Sequence, residues 1–256
     1  MLRSLANAGV SFGGNMVFGI GNTAPTVDDT ELEFEIHRTP IDLVDFDDIT
    51  YEIIYRGTVP DQRYFELHEI GLLIEDANID TDSPSQVISL FDESEQEWSG
   101  YDSVETTGIR SGTGAFRLDD GGTISSSQSI FNFDAAAATD IFSFAYNLLS
   151  GTASIDMRLV VDASNYRSMT ITPSAGFNVH KFVLSDFAET GTAPLDQIAS
   201  VEFVVTGTSA LLFEGLRLDN DSSESDVLLS RTIVSPAVQK IGVVELQVEY
   251  RVGVTF

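Results

Sequence analysis

Residues able to do chemistry are scattered along this 256-residue chain rather than gathered. The three histidines, His37, His68 and His180, lie on separate segments with no HxxxH spacing, so no two imidazoles are set side by side for a metal. Gly19-Ile20-Gly21 has the glycine spacing of a phosphate loop. It lacks the following lysine and the helical pattern that would hold a phosphate. Asp119-Asp120-Gly121-Gly122 reads as a turn, because it has neither the alternating ligands nor the terminal glutamate of a calcium loop. With no cysteine there is no disulfide, thiolate ligand or thiol nucleophile. Nothing singles out two carboxylates as a hydrolytic pair, so the expectation is a non-enzyme with no cofactor.

The elements that must position these residues are strands. Leu32 to His37 puts its apolar residues on one face, and Val244 to Phe256 alternates without a break. Further strands are expected over 49–56, 64–74, 116–118, 141–148, 155–161, 168–172, 182–184, 201–205 and 210–218, separated by short Gly, Ser, Asp and Thr clusters. A short helix over 2–8 and a turn near 85–90 are the exceptions. Alternation slips at Glu69-Ile70-Gly71, which suggests a bulge or a close backbone approach. No fixed-period repeat appears, which disfavours a solenoid or propeller; the strands and their turn spacing make the expected class all-β.

Charge narrows the partners. Forty acids against 13 bases give 13 − 40 = −27, which excludes nucleic-acid binding by phosphate neutralisation. Eleven of the bases are arginine; Lys181 and Lys240 are the two lysines. Residues 77–225 carry 22 acids and 6 bases, and the other 107 residues carry 18 and 7, so the charge is spread evenly. Even acidity with little lysine suits a protein working in concentrated salt, where a Debye length of about 3 Å at 1 M screens self-repulsion. No apolar run approaches the roughly 20 residues of a membrane span, so no membrane insertion is expected. Residues 1–10 lack the basic-then-apolar order of a secretory signal, and the chain is expected to start at Met1.

Two separated stretches carry a resemblance. Gly19-Ile20-Gly21-Asn22-Thr23-Ala24-Pro25, then Asp29-Thr30-Glu31-Leu32, Glu35 and Arg38, resembles the opening "GxGxxAPxxxDTxL…E…R" of small tail proteins of tailed viruses. Glu69-Ile70-Gly71-Leu72-Leu73 resembles their "EIGLF" element. The continuation of that family, a "LLxRxxF…P…K" strand and a last alternating strand, stands much later as Leu228-Leu229-Ser230-Arg231, Pro236 and Lys240. The gap reads as a domain inserted at a hairpin tip, since lengthening a loop adds only about 0.6 kcal/mol per doubling. The expected organisation is residues 1–78 plus 226–256 as one discontinuous antiparallel β domain, with 79–225 inserted. Arg38 and Arg231 are placed to pair with Glu35 and Glu69, a structural role.

The insert is similar to jelly-roll carbohydrate-binding modules. Leu90-Phe91-Asp92-Glu93 with Trp98, Ser111-Gly112-Thr113-Gly114-Ala115-Phe116-Arg117-Leu118, Phe182-Val183-Leu184-Ser185-Asp186-Phe187 and Leu211 to Asp219 follow the pattern of their strands. Phe182 stands where that pattern has tryptophan. The resemblance implies a jelly-roll β-sandwich, a glycan platform drawn from Trp98, Tyr101 and Tyr166, and a structural calcium ion on Asp92, Glu93 and Glu214. Trp98 has core packing as its other reading. Taken together the resemblances imply a virion protein of a tailed virus of a salt-loving host, in tail, baseplate or fibre, bound to other virion proteins. They further imply a homo-oligomer, a trimer by preference, with the insert meeting a host cell-surface glycan or glycoprotein. A capsid decoration or turret protein and a stand-alone carbohydrate-binding module are the alternatives.

Overall fold

The computed structural model describes residues 14–74, 86–92, 97–126, 139–219 and 227–253. The helix expected over 2–8 lies outside them. The chain divides into two compact units, Met1–Asp80 with Glu224–Phe256, and Thr81–Ser223. The first opens with β1 (Asn15–Gly19), β2 (Glu35–Pro40), β3 (Leu43–Asp47), β4 (Glu52–Val59) and β5 (Phe65–Ile74). The second begins with β6 (Gln86–Ser89), β7 (Trp98–Ser99), β8 (Ser103–Glu105), β9 (Ala115–Asp119), β10 (Gly122–Ser126) and β11 (Ile141–Gly151). It goes on through β12 (Ser154–Asp162), β13 (Asn165–Ile171), β14 (Gly176–Val183), β15 (Ala188–Thr190), β16 (Ser200–Thr206) and β17 (Ser209–Asp219). β18 (Val227–Lys240) and β19 (Leu246–Gly253) complete the first unit. Strands pair antiparallel throughout. The segment expected as a turn near 85–90 is β6, an apolar pair flanked by polar residues that pairs with β17. No helix among the described residues is long and apolar enough to cross a membrane.

The discontinuous unit has two sheets, ordered β18-β5-β1-β2 and β19-β4-β3. All five residues of β1 are buried, so it shows no alternation to read in the sequence. β5 ends at Ile74 directly opposite Val227, where β18 begins. The chain thus leaves and re-enters this unit one strand spacing apart, about 5 Å, as at the tip of a hairpin.

A buried charge network holds the two segments together. Glu69, wholly buried, accepts the N–H groups of Gly21 (3.1 Å), Glu33 (3.0 Å) and Phe34 (2.9 Å) and the Nε of Arg231 (2.8 Å). Arg231 also donates to Asp29 (2.6 Å) and to the Thr23 carbonyl (3.0 Å). Glu33 in turn accepts the N–H groups of Asn22 and Thr23, each at 2.7 Å. A Cβ on Gly19 or Gly21 would overlap the Glu69 side chain, so the Gly-x-Gly spacing serves a carboxylate rather than a phosphate. At the alternation slip, a Cβ on Gly71 would come within 2.9 Å of Leu228 and Val17. Arg38 and Glu35 also pair, at 2.9 Å. Asp29 is held down to about 2 by the Thr26 N–H and hydroxyl, with Arg231 adding to them.

The second unit is a sandwich of two sheets, ordered β15-β13-β12-β16-β10-β7 and β14-β11-β17-β9-β8, with β6 also on β17. Phe91 is the centre of its core, with ring centroids 4.8 Å from Trp98, 5.6 Å from Phe213, 5.8 Å from Phe116 and 5.9 Å from Phe203. It takes φ of 51°, a conformation bulky side chains rarely adopt, and the surrounding aromatic packing offsets that strain.

Replacing Arg231 by Met leaves Glu69 buried without its cation, a loss of about 3–5 kcal/mol. Amide hydrogen exchange is expected to show β1, β5 and β18 losing protection while β11, β12 and β16 keep theirs; unchanged protection in β5 would contradict this.

A second expectation concerns pH. His37 stacks on Phe18 with its Nε2 buried and without a hydrogen-bond partner, and burial, with Arg63 and Lys240 adding, pushes it from 6.5 to about 4. Between those values the unfolded chain binds the extra proton, so stability is full above pH 6.5 and falls as pH drops toward 4. His37→Phe keeps the stack and removes the titration, and a urea-denaturation series across that window is expected to show a flatter slope.

Candidate functional site

Along β12, Ile155, Met157 and Leu159 are buried, which turns Asp156, Arg158 and Val160 to the outer face. Register then builds a polar row across four strands, Ser168 on β13, Arg158 on β12, Glu202 on β16 and Ser125 on β10. Asp156 and Thr170 lie beside this row on one flank, and Val160 and Tyr166 on the other. Arg158 is fixed in place: it donates to Asp156 at 2.7 Å, and its Cζ sits 5.0 Å from the centre of the Tyr166 ring. All these side chains are half-buried or exposed.

Tyr166 owes its position to the β12–β13 turn. Asp162 accepts the N–H of Ser164 (2.8 Å), the N–H of Asn165 (3.0 Å) and the Asn165 side-chain amide (2.8 Å), and these bonds lower its carboxyl pKa. Asn165 Oδ1 accepts the N–H of Thr192 (2.8 Å), which ties the turn to the loop that follows β15. The tyrosine therefore enters β13 from a rigid hairpin. Chemically the face offers a guanidinium, two carboxylates, hydroxyls and an aromatic ring on one open sheet, the set that binds a polyol through hydrogen bonds and ring contact.

The other sheet's outer face is closed. Ser143, Ala145 and Leu212 point outward from β11 and β17 yet are buried. Register shifts where β17 passes β11, leaving Glu214 outside the pairing. Its carboxylate accepts the Arg110 N–H at 2.8 Å, and its carbonyl accepts the Ser111 hydroxyl. Arg110 then reaches Phe177 on β14, with Cζ 3.8 Å from the ring centre. The segment before β9 thus lies across this face.

The three aromatics expected as a platform are not brought together. Trp98 is 4% exposed and packs in the core against Phe91 and Phe203, so its indole offers no face to solvent. Tyr101 stacks flat on the buried Phe116, with centroids 4.1 Å apart. Tyr166 alone stands on the open face. Of the carboxylates expected for calcium, Asp92 and Glu214 are both buried and both brace the segment before β9: Asp92 accepts the N–H and hydroxyl of Thr113, each at 3.3 Å. Glu93 lies outside the described residues. A calcium ion takes six to eight oxygens. The described residues assemble no group of three metal-binding side chains, so they do not by themselves fit it. Sequence reasoning passed over Arg158 and Glu202. Their outward direction is readable from the alternation of 155–161 and 201–205, whereas their adjacency depends on long-range pairing.

No family model matches this chain, and no curated protein matches it. Among solved structures it is similar to the family 11 carbohydrate-binding module of a cellulosomal cellulase of Clostridium thermocellum, at 15% identity over 55% of this chain and 96% of that one, with a TM-score of 0.40. It is also similar to the carbohydrate-binding module CBM28, specific for non-crystalline cellulose, at 10% identity over 58% and 97%, with a TM-score of 0.28. A third likeness is to the Endo-D glycoside hydrolase domain of Streptococcus pneumoniae, at 10% identity over 64% and 27%, with a TM-score of 0.32. Likenesses this distant carry no functional weight, and the site stands on its own residues.

Proposed function

We propose that the inserted sandwich binds a neutral carbohydrate on the outer face of the sheet carrying β12, β13 and β16, without chemistry on it. The observation that carries this is the fixed row of Ser168, Arg158, Glu202 and Ser125 beside the Tyr166 ring. Sugar hydroxyls accept from a guanidinium and donate to carboxylates, and the C–H face of a pyranose lies on an aromatic ring. Residues 77–225 carry net −16, from 6 bases and 22 acids, which opposes sulfated or uronate chains and favours a neutral one. Catalysis by two carboxylates needs one of them kept protonated in a cleft. Asp156 instead sits ion-paired on an open face.

The discontinuous unit, in this reading, anchors the sandwich in the virion tail of a virus whose host lives in concentrated salt. Supporting it is the tail-protein motif, whose Gly19, Gly21, Asp29, Glu69 and Arg231 meet in one buried network. Finding the chain absent from purified particles by mass spectrometry would sink this half of the reading.

For the sandwich, the test is an array of neutral gluco-, galacto- and manno-oligosaccharides with a sulfated oligosaccharide as control. A neutral ligand is expected to be retained and recovered uncleaved. Tyr166→Ala and Arg158→Ala are each expected to weaken it about tenfold, near 1.4 kcal/mol, at unchanged melting temperature. No ligand in the panel, or full binding by Tyr166→Ala, would refute the assignment.

A further inference from the structure

The connection between β18 and β19 forms an apolar knuckle in the discontinuous unit. Ile241, Val243 and Val244 are 48%, 77% and 57% exposed, and Val238 and Tyr64 are each about 40% exposed. The knuckle is held rigidly. Gln62 N–H donates to the Gly242 carbonyl (2.7 Å), and the buried Lys240 ammonium donates to the carbonyls of Ile241 (2.8 Å) and Arg63 (3.2 Å). The Tyr64 ring packs so closely on Gly242 that any side chain there would overlap it. Several exposed apolar side chains fixed in one place, on a chain of charge −27, mark a contact surface.

Arg63 indicates what the contact is. It is exposed, and among the described residues it has no carboxylate partner, although seven other arginines each hold one. In a chain with 40 acids an unpaired surface arginine is the exception. The exposed acids Asp61 and Glu245 flank the same knuckle, so the patch is self-complementary: an apolar centre edged by both signs of charge.

We infer that the knuckle docks a second copy of this chain about a two-fold axis. Each copy sets its Val243 and Ile241 against the other's, and Arg63 of each faces Glu245 of the other, as an isologous contact requires. The stoichiometry differs from the trimer that the tail-protein resemblance implies. The centre of the contact carries no charge, so it is where two acidic chains approach with least repulsion. That repulsion shrinks as the Debye length falls from about 10 Å at 0.1 M salt to about 3 Å at 1 M. Association therefore strengthens with salt, the reverse of a contact held by ion pairs alone. The inference is independent of the carbohydrate reading.

Sedimentation velocity of the whole chain over a concentration series in molar salt tests it. A monomer–dimer equilibrium is expected, weakened about tenfold or more by Val243→Asp. That residue is exposed enough for the fold to survive, which an unchanged melting temperature verifies. Arg63→Glu is expected to weaken the dimer severalfold. Adding Glu245→Arg restores it, whereas adding Asp48→Arg, which gives the same net charge in the β3–β4 turn at the far end of the sheet from the knuckle, does not. A chain monomeric at every concentration, a dimer indifferent to Val243→Asp, or equal rescue by Asp48→Arg would overturn the inference.

Discussion

A carboxylate with no exposed surface has to be neutralised and hydrogen-bonded where it sits, and in the discontinuous unit everything near Glu69 is arranged to do so. Three backbone N–H groups and one guanidinium converge on it. The N–H groups come from the 20–34 segment, which by itself has no strand to hold it. The guanidinium comes from β18, more than 150 positions further along the chain. Satisfying one buried group therefore folds a loop onto β5 and closes the unit across the insertion. A buried ion pair of this kind adds little net stability over an apolar equivalent. It adds a strong penalty for any arrangement in which either segment is missing, which is what a domain interrupted by another needs.

The same constraint explains which features were legible in the sequence. Alternation marked β12, β16 and β19 well, because β12 and β16 each have one buried and one wetter face and β19 has one half-buried face, centred on the buried Tyr250, and one exposed face. It failed for β1, buried on both faces, and slipped in β5, where Glu69 and Gly71 share a face with Leu67 and Leu73 while Ile70 and Leu72 fill the other. β10 escaped notice because Ile124 is its single apolar residue. The Gly-x-Gly spacing was readable as unusual, but its purpose depends on Glu69, which is distant in sequence.

At the candidate site the limit was of the same kind. Residue type and the module resemblance offered Trp98, Tyr101 and Tyr166, with core packing open as the other reading of Trp98. Only packing separates them: two supply area to the core around Phe91, and one follows a hydrogen-bonded turn onto an open sheet. Arg158 and Glu202 meet because β12 pairs with β16 in one register, and a slip by one residue would send both toward the core. The buried Met157, Leu159, Val201 and Phe203 forbid that slip. The apolar face thus determines the polar one.

Charge is distributed by a comparable logic. With 13 bases for 40 acids, neutralisation cannot be pairwise, and arginines are placed where acids on neighbouring strands would otherwise confront one another. Arg251 lies within ion-pair distance of Glu249, Glu52 and Asp47; Arg117 does the same for Glu105 and Asp119. Each exposed pair contributes at most about 1 kcal/mol. Their common effect is to remove like-charge contacts between paired strands, which are destabilising when directly opposed. Lysine, with its single compact charge, does not bridge several carboxylates as a planar guanidinium does. Lys240 accordingly serves elsewhere, buried and spent on two carbonyls. Among the described residues seven arginines are held by carboxylates in this way, and a surface arginine left out of this scheme is better explained by a contact outside the chain than by chance.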